Sequence, residues 1–439
     1  MINNSPFDKT VVDSKISELR IPNVGKASIR EIVALVNLVE EETGLKYIRM
    51  EMGVPGLPPS KIGVDAEIEA LKKGVAAIYP MVDGIKPLKE EASKFIKNYL
   101  DIDVAPKGCI ATVGSMQGTF SAFMAAGNID KNRDTTLFID PGFPVQKQQM
   151  MVLGLKHTTF DVFNFRGEKL RAKLEEILGE GKINSIIYSN PNNPAWICFN
   201  DEELKIIGEL ATKYDVIVME DLAYFGMDFR NDLSKPGVAP FQPTVAKYTD
   251  NYILFISSSK IFSYAGQRCG LMAISDKLFV RDYPDLQERF KGTTFGDTIT
   301  LRILYSVSSG TSHSAQWALA AMFKAANEGR FNFVEEVKEY GEKAKVMKDL
   351  FLKNGFNIVY EKDLDVKIAD GFYFTISYPN MTGNQLVENL LYYGISAIAL
   401  DNTGSYEEGI RACVSFVKRE QFGELEERLK LFNENFGAK

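Results

Sequence analysis

The most informative part of this sequence is the segment SSSKIFSYAGQR at residues 257–268, which directly follows the apolar run YILFI. Such a run predicts a buried strand, so Lys260 is expected at a strand end. Partial desolvation there would favour the neutral amine, which is the form that performs Schiff-base chemistry. The hydroxyls of Ser257 and Ser259 and the guanidinium of Arg268 are suited to hold a phosphate. The segment therefore suggests a pyridoxal 5'-phosphate (PLP) site, with a solvated loop lysine as the alternative.

Composition is that of an ordinary globular protein and argues against several kinds of partner. The 439 residues are 45% hydrophobic and 25% charged, with a formal net charge of −7. An acidic chain is not expected to bind nucleic acid. Four scattered cysteines and two histidines show no spacing typical of a disulfide framework or a metal site, so neither is expected. Without a long apolar run or a signal-like start, the chain is expected to be soluble and cytoplasmic, with no membrane segment.

The middle of the chain alternates short apolar runs with stretches of helical periodicity. The runs predict strands at 109–113, 135–139, 157–162, 184–189, 215–220, 252–257 and 269–274. Strands that alternate with helices form a mostly parallel sheet covered on both faces, and such a sheet binds its ligand at the carboxyl ends of its strands. The predicted fold class is α/β, with a large doubly wound domain around a mostly parallel seven-stranded sheet.

The sequence on either side of this sheet predicts two further parts. Before it, residues 28–42 have the pattern of an amphipathic helix. After it, a long helical region from about 313 to 354 leads to strand-like runs and two more helices, which predicts a small α+β domain. The predicted division is an N-terminal arm over 1–60 that belongs to the small domain, a large domain over 61–328 and a small C-terminal domain over 329–439.

Two short motifs place a hydroxyl and an aromatic ring at predicted strand ends. GSMQG at 114–118 opens a helix whose free N–H groups, with the Ser115 hydroxyl, would bind an anion. An ordinary helix-capping serine would give the same pattern. In DPGFP at 140–144, Phe143 would be able to stack on a planar ring, and a buried loop phenylalanine is the alternative.

Two more motifs follow later strands. SNPNNP at 189–194 contains two Asn-Pro steps, which constrain the turn and would aim Asn193 at a fixed acceptor. A turn without chemistry is the alternative. The strand at 215–220 leads into Asp221 and then Tyr224. A carboxylate at a buried strand end needs a partner, which a protonated pyridine nitrogen would supply, and helix capping by Asp221 is the alternative.

The order of these motifs resembles that of the class I/II aminotransferases of fold type I, the PLP-dependent superfamily that includes aspartate aminotransferase. The resemblance extends from about Gly53 to Arg411. Its most specific parts are NPNNP at 190–194, the pattern D-x-x-Y at 221–224, and S-x-S-K at 257–260 with an arginine eight residues later.

This resemblance implies roles in binding and using PLP. Lys260, Asp221 and Tyr224 would be catalytic: Lys260 would form the Schiff base and move a proton, and Asp221 would pair with the pyridine nitrogen. Asn193 and Tyr224 would bind the ring oxygen, while Phe143 would stack on the ring. The residues that would hold the phosphate are Ser115, Met116 through its amide, Ser257, Ser259 and Arg268.

The resemblance also implies a substrate site and a dimer. Arg411 matches the small-domain arginine that holds the substrate α-carboxylate, and Gly53 matches a glycine beside the substrate. Asn193 would contact the substrate as well as the cofactor. Tyr79 matches a tyrosine that reaches the phosphate site of the neighbouring subunit, which implies a homodimer with shared active sites.

Two features depart from the family pattern. Ala195-Trp196 follows the second Asn-Pro step where the family has a small pair, so the indole would narrow the pocket or move the turn. The stretch 306–313 replaces the region where dicarboxylate-specific members keep a second substrate arginine. Arg302 lies nearby in sequence but is as readily explained as a solvated helix residue.

The predicted function is that of a PLP-dependent aminotransferase, which moves an amino group between an L-amino acid and a 2-oxo acid by a ping-pong mechanism. A PLP-dependent β-lyase of the C–S lyase type is the main alternative, because the same fold supports elimination and decarboxylation. A non-catalytic ligand-sensing domain is the third reading. The lack of a basic helix-turn-helix segment before residue 50 counts against it.

Overall fold

The computed structural model describes residues 5–437, and this part of the chain forms two compact units. The larger unit comprises Leu57–Asn192 and Cys198–Val337. The smaller unit comprises the described residues of Met1–Gly56, Asn193–Ile197 and Lys338–Lys439. The sequence did not indicate that a five-residue segment from the middle of the chain would belong to the smaller unit. The domain limits at residues 60 and 328 stay a prediction.

The larger unit is built on a seven-stranded sheet. The strand order across the sheet is Cys109–Thr112, Gly270–Ile274, Tyr252–Ser257, Ile217–Leu222, Ile183–Ser189, Thr135–Asp140 and Lys156–Asp161. Gly270–Ile274 is antiparallel to both of its neighbours, and the other neighbouring pairs are parallel. The predicted α/β class with a mostly parallel seven-stranded sheet is confirmed.

The central strands are buried along their whole length, as expected for continuous apolar runs in a parallel sheet. Their register aligns the carboxyl ends of three strands. Ser189 pairs with Asp221, and Asp221 pairs with Phe255. Ser257, at the end of its strand, pairs with Gly270, the first residue of the antiparallel strand. Most of the polar residues identified from the sequence therefore lie at one edge of the sheet.

The helices of the larger unit connect and cover these strands. The α-helices are Lys61–Lys72, Lys86–Leu100, Gly114–Ala126, Pro144–Leu153, Glu168–Leu178, Asp201–Lys213, Ser258–Ile261, Asp276–Phe279, Leu286–Phe290, Phe295–Asp297, Tyr305–Val307, His313–Asn327 and Phe333–Val337, and Thr298–Leu304 is a π-helix. No helix within residues 5–437 is both long and apolar enough to cross a membrane.

The helical region predicted as continuous from 313 to 354 is interrupted. It consists of His313–Asn327, Phe333–Val337 and Glu339–Lys353. The first break follows from Gly329, which adopts a left-handed φ of 67° and donates its N–H to Ala326 O at 2.9 Å. A left-handed glycine with this bond ends a helix, although the apolar periodicity continues beyond it.

An aromatic cluster supports the backbone next to Lys260. Phe262 lies 5.8 Å from Phe323 and 5.7 Å from Phe333, measured between ring centres. Both neighbouring rings also contact Phe95, at 4.5 and 5.5 Å. Because Phe262 is two residues after Lys260, this packing restricts the path of the chain that carries the lysine.

The smaller unit is an α+β structure. Its main sheet is antiparallel, in the order Ile398–Ala399, Ile410–Cys413, Tyr373–Ser377 and Asn357–Ile358. Two short pairs accompany it: Ile48–Arg49 with Ile395–Ser396, and Lys362–Asp363 with Val366–Lys367. The helices are Lys9–Glu18, Ile29–Thr43, Glu339–Lys353, Gly383–Tyr392 and Phe422–Phe436.

The predicted N-terminal helix is present as Ile29–Thr43. Ser28 Oγ accepts from Glu31 N at 3.3 Å, and the Glu31 carboxylate accepts from Ser28 N at 2.7 Å, which is a complete capping box. The sequence did not predict Lys9–Glu18, in which Val12 is the buried residue. With one buried residue, Lys9–Glu18 lacks the repeated apolar positions from which a helix is predicted.

Candidate active site

Lys260 follows the strand Tyr252–Ser257 within a single turn of helix. The hydroxyl at the strand end accepts a hydrogen bond from Ser259 N at 3.1 Å, which caps that turn. Ser258 Oγ donates to the carbonyl of Cys269, which fastens the turn to the neighbouring strand. Lys260 is half-buried. Its backbone is thus fixed at the edge of the sheet.

The guanidinium of Arg268 lies against the start of the helix Gly114–Ala126. Gly114 has a left-handed φ of 63°, and a Cβ there would be 2.5 Å from Arg268 Nη2, so the guanidinium lies close against the helix start. Ser115 Oγ is buried at this helix start and has no hydrogen-bond partner among residues 5–437. The first N–H groups of a helix, including that of Met116, also have no intrahelical acceptor. A guanidinium, a hydroxyl and a helix start together form an anion site.

Ser257 and Ser259 adjoin the same corner. A Cβ on Gly270, the register partner of Ser257, would lie 3.2 Å from Ser115 N. Ser259 follows two residues later and is buried. The structure therefore brings the residues predicted to hold a phosphate in the larger unit to one corner of the sheet.

Asp221 is a buried carboxylate whose hydrogen-bond donors are both neutral. It is 6% exposed. Gln146 Nε2 donates to Oδ2 at 2.9 Å, and Ala223 N donates to Oδ1 at 3.1 Å. Burial raises the pKa of Asp221 to about 6, and these two bonds act in the opposite direction. A positively charged ring nitrogen would be a suitable partner for such a carboxylate.

Gln146 is a site residue that the sequence reasoning missed. It lies on the helix Pro144–Leu153, three residues after Phe143, and its amide ties that helix to Asp221. Phe143 itself is half-buried at the start of the helix. Tyr224 is 4% exposed and follows Asp221 in the turn after the strand. Only the contact across the sheet edge identifies Gln146, because a glutamine in a helix has no special pattern.

The residue before Asp221 is a second buried carboxyl group with different partners. Glu220 accepts hydrogen bonds from Thr244 Oγ1 at 2.6 Å, from Val245 N at 3.2 Å and from Tyr188 Oη at 3.2 Å. Burial raises the pKa of Glu220 to about 7. Its contacts join three parts of the larger unit, so we interpret Glu220 as structural.

The raised pKa of Glu220 predicts a pH-dependent stability. We expect the free energy of unfolding to fall as the pH rises from 4.5 to about 7, because the folded protein keeps a proton that the unfolded chain releases. The isosteric Glu220→Gln has no such proton, so relative to it the unsubstituted protein should lose about 3 kcal/mol over this interval. Denaturant titrations of both proteins at pH 4.5 and pH 8 measure the change in the free energy of unfolding. The two pH values are chosen to span the ordinary and the raised pKa of Glu220. An identical pH dependence of the two proteins would show that folding does not raise the pKa of Glu220.

Tyr79 projects from the surface of the larger unit. Its side chain is 90% exposed, and the neighbouring Ile78 and Met81 are 59% and 71% exposed. His313 Nδ1 lies 3.0 Å from Ile78 O, which holds the loop at its base. Exposed aromatic and aliphatic side chains grouped in this way are typical of a protein interface.

The smaller unit places Arg411 on the strand Ile410–Cys413, where it is 1% exposed. Its Nη1 donates to Asn193 Oδ1 at 3.3 Å, and its Nη2 donates to the carbonyl of Glu51. The guanidinium carbon lies 4.7 Å from the ring centre of Tyr373. Nε has no hydrogen-bond partner within residues 5–437, and no carboxylate there pairs with the guanidinium. A buried cation of this kind is suited to an anionic ligand.

An ion pair with Glu407 or Glu408 would have explained Arg411 as a structural residue. Instead, the Glu408 carboxylate accepts from Gly383 N at 2.6 Å. Gly53, the other predicted substrate residue, lies against Tyr373, because a Cβ on Gly53 would be 2.1 Å from Tyr373 Oη. Within the smaller unit, Arg411 therefore contacts Asn193 directly, and Gly53 and Arg411 lie against the same ring, that of Tyr373.

The two departures from the family pattern have distinct structural settings. Trp196 is fully buried in the smaller unit at a φ of 65°. The stretch 306–313 contacts the helix that begins at the anion site, since Gln117 Nε2 donates to Ser308 Oγ at 2.7 Å. Arg302 is exposed and donates to the carbonyl of Lys291 at 3.4 Å, as a solvated helix residue would.

Comparison with known proteins identifies the family. The sequence matches aminotransferase class I and II over residues 46–429. The chain belongs to the class I and II aminotransferases. A solved aspartate aminotransferase from Thermotoga maritima has the same fold, with a TM-score of 0.73 and 20% identity over 97% of this chain and 99% of that chain.

Related class I and II sequences are only distantly similar. A probable aspartate aminotransferase of Methanocaldococcus jannaschii is 28% identical over 262 residues, which are 59% of this chain and 63% of that protein. An LL-diaminopimelate aminotransferase of Halothermothrix orenii is 29% identical over 257 residues, which are 57% and 62% of the two chains. Each of these matches spans slightly less than two thirds of the relative's length.

The class I and II aminotransferases use PLP, and the residues of the larger unit fit this cofactor. Ser115 Oγ is a buried hydroxyl without a partner among the described residues, beside a guanidinium and a helix start, as a phosphate requires. Asp221 is a buried carboxylate with neutral donors, as a protonated pyridine nitrogen requires. The two ends of the cofactor therefore have chemically appropriate residues.

Proposed function

We propose that this protein is a PLP-dependent transaminase that exchanges an amino group between an L-amino acid and a 2-oxo acid by a ping-pong mechanism. One observation carries the proposal. The segment 257–268 holds Lys260 between Ser257 and Arg268, and both of these flanking residues lie beside the helix start at Ser115. A lysine amine held next to an anion site is suited to a phosphorylated aldehyde, because the amine can bond to the aldehyde carbon while the anion site binds the phosphate.

Each residue of the larger unit has a defined task in this proposal. PLP, when bound, supplies a pyridine ring that accepts electrons from the substrate Cα. The Lys260 amine would take the proton from the substrate Cα and deliver it to C4′, the cofactor carbon that carries the transferred nitrogen. Asp221 keeps the ring nitrogen protonated, and Gln146 holds Asp221 in position. Tyr224 donates to the ring oxygen.

The remaining residues orient the cofactor and the substrate. Phe143 stacks on the ring, and Asn193 donates to its oxygen. The groups that hold the phosphate are Ser115, the Met116 amide, Ser257, Ser259 and Arg268. Arg411 binds the substrate α-carboxylate in a bidentate pair, because its buried guanidinium has no anionic partner among residues 5–437. Gly53 provides the backbone beside the substrate.

A half-reaction tests the proposed function. The holoenzyme is mixed with single amino acids, and the visible absorbance of the cofactor and the released 2-oxo acid are measured. A transaminase loses the visible band and releases one 2-oxo acid per site. Ammonia or pyruvate released continuously without loss of the band would instead identify a β-lyase, which the aminotransferase names of the relatives do not favour.

The proposal includes a cytoplasmic homodimer in which Tyr79 reaches the partner's phosphate site. Its support is the 90% exposure of Tyr79 within an exposed apolar loop. We expect mixtures of Lys260→Ala and Tyr79→Ala subunits to be more active than either variant alone. A mixed dimer would contain one complete site, with Lys260 and Tyr79 from different chains, so random exchange would restore about a quarter of the wild-type activity.

The control mixture combines Lys260→Ala with Asp221→Ala. Both residues belong to the same chain's site, so no mixed dimer has a complete site and no activity should return. Equal results for the two mixtures, after subunit exchange has been verified by mass spectrometry, would argue against shared sites.

A further inference from the structure

Two aromatic rings lie behind Arg411 and have no task in the proposed function. The Arg411 guanidinium lies over the face of Tyr373, at 4.7 Å from the ring centre. Tyr373 and Trp196 pack edge to face, with ring centres 6.2 Å apart and planes at 66°. Trp196 is fully buried and Tyr373 is 2% exposed. The two rings and the guanidinium therefore form a continuous packed column inside the smaller unit.

Two glycines leave the space that this column occupies. A Cβ on Gly371 would lie 1.9 Å from Trp196 Cε2, inside the indole. A Cβ on Gly53 would lie 2.1 Å from Tyr373 Oη. A side chain at either position would displace a ring, so the close packing of both rings depends on these glycines.

The Arg411 guanidinium makes a polar contact from each terminal nitrogen and also lies against a ring face. Nη1 donates to Asn193 at the long distance of 3.3 Å, and Nη2 donates to a backbone carbonyl. The ring face of Tyr373 restricts the tilt of the guanidinium plane, since a cation is attracted to the face of an aromatic ring. Trp196 is linked to two of the groups that contact Arg411, because it packs against the Tyr373 ring and lies three residues after Asn193 in the same segment.

We propose that Tyr373 and Trp196 are positioning residues that orient the Arg411 guanidinium so that its unpaired Nε and one Nη face a ligand carboxylate. The inference rests on the proposed function, in which that carboxylate belongs to the amino-acid substrate. It predicts that loss of either ring weakens carboxylate binding and leaves chemistry that needs no carboxylate unchanged. In this inference Trp196 helps to orient Arg411, whereas its size alone suggested that it would narrow the pocket.

The kinetic test uses the holoenzyme forms of Tyr373→Leu and Trp196→Leu. We expect the KM for an amino acid that the half-reaction identifies as a donor to rise roughly tenfold to thirtyfold, with a much smaller change in kcat, because an interaction with a desolvated ring face is lost. The reaction of the cofactor with methylamine, an amine without a carboxylate, should keep its wild-type rate. Tyr373→Phe keeps the ring face and should restore the KM.

A matched control and a second variant complete the kinetic test. Trp317→Leu removes the other tryptophan of the sequence, on the helix His313–Asn327 of the larger unit, and should leave the KM unchanged. If the leucine variants do not fold, Gly371→Ala takes their place in the test. It displaces the indole without removing either ring, and it should also raise the KM. Equal losses with the amino-acid donor and with methylamine, or an unchanged KM in every folded variant, would overturn the inference.

A fluorescence titration tests the same inference without turnover. In Trp317→Phe, Trp196 is the only tryptophan left, because the sequence has two. Adding propionate, a carboxylate without an amine, should change its emission in a saturable way, and Arg411→Leu should abolish the change. This result would hold even if the protein failed to transaminate. No change of emission in Trp317→Phe would show that carboxylate binding does not involve the aromatic column. That result would overturn this inference and leave the proposed transaminase function standing.

Discussion

Replacing Asp221 by alanine is expected to lower kcat by roughly a hundredfold to a few thousandfold, which corresponds to about 3–5 kcal/mol at the transition state. The Asp221 carboxylate is buried, and both of its hydrogen-bond donors are neutral. It would hold a proton on the pyridine nitrogen, and alanine cannot. The variant should still bind PLP, because the predicted phosphate ligands lie at the ends of other strands than the one that carries Asp221. Steady-state kinetics and cofactor absorbance measure the two effects separately.

Two further variants show whether charge or shape matters at this position. Asp221→Asn keeps the volume and one acceptor oxygen but removes the negative charge, so it should lose nearly as much activity as the alanine variant. Gln146→Leu removes one hydrogen bond and keeps the charge, so we expect a smaller loss, about tenfold. Turnover close to that of the wild type in Asp221→Ala would mean that another residue serves the ring nitrogen.

Replacing Arg411 by lysine or leucine is expected to weaken the binding of every amino acid by about 1.5–3 kcal/mol, or roughly tenfold to more than a hundredfold in KM. The guanidinium is 1% exposed and pairs with no carboxylate among the described residues. Lysine should rescue little, because a point charge cannot form the bidentate pair that the planar guanidinium forms. The loss should be similar for aliphatic, aromatic and acidic donors, since all of them share the α-carboxylate.

Arg428 provides the matched control for Arg411. It is a buried arginine of the same unit, but it already pairs with Glu424 and donates to the carbonyl of Gly394 at 2.6 Å. Arg428→Lys should therefore change stability and leave the KM values as they are. If Arg411→Lys weakened the binding of acidic donors alone, Arg411 would select the substrate side chain, and the group that binds the α-carboxylate would lie elsewhere.

The sequence allowed the sheet and the order of the candidate site residues to be predicted, because both have local signals. The apolar run before Lys260 predicted a strand at 252–257, and the structure has Tyr252–Ser257. A strand buried on both faces has few polar residues, so its ends are easy to locate. The Asn-Pro steps and the acidic residue at position 221 were identifiable because they interrupt such runs at fixed places.

The contacts that complete the candidate site could not be predicted, because they join residues that are far apart in sequence. Gln146 contacts Asp221 across the sheet edge, and nothing in its own helix distinguishes it. Gly371 leaves room for Trp196, but a single glycine does not indicate which side chain will occupy the space. The membership of Asn193–Ile197 in the smaller unit depends in the same way on packing rather than on local pattern.

Covalent labelling is the most direct test of the central claim, that Lys260 carries the cofactor. The holoenzyme is reduced with borohydride and digested, and the peptide that bears the pyridoxyl group is sequenced by mass spectrometry. We predict that the label is on Lys260, on the half-buried turn that follows the strand Tyr252–Ser257. Lys247, which is exposed and precedes the same strand, serves as the internal comparison. A label on Lys247, or no label on any lysine, would contradict the assignment of Lys260.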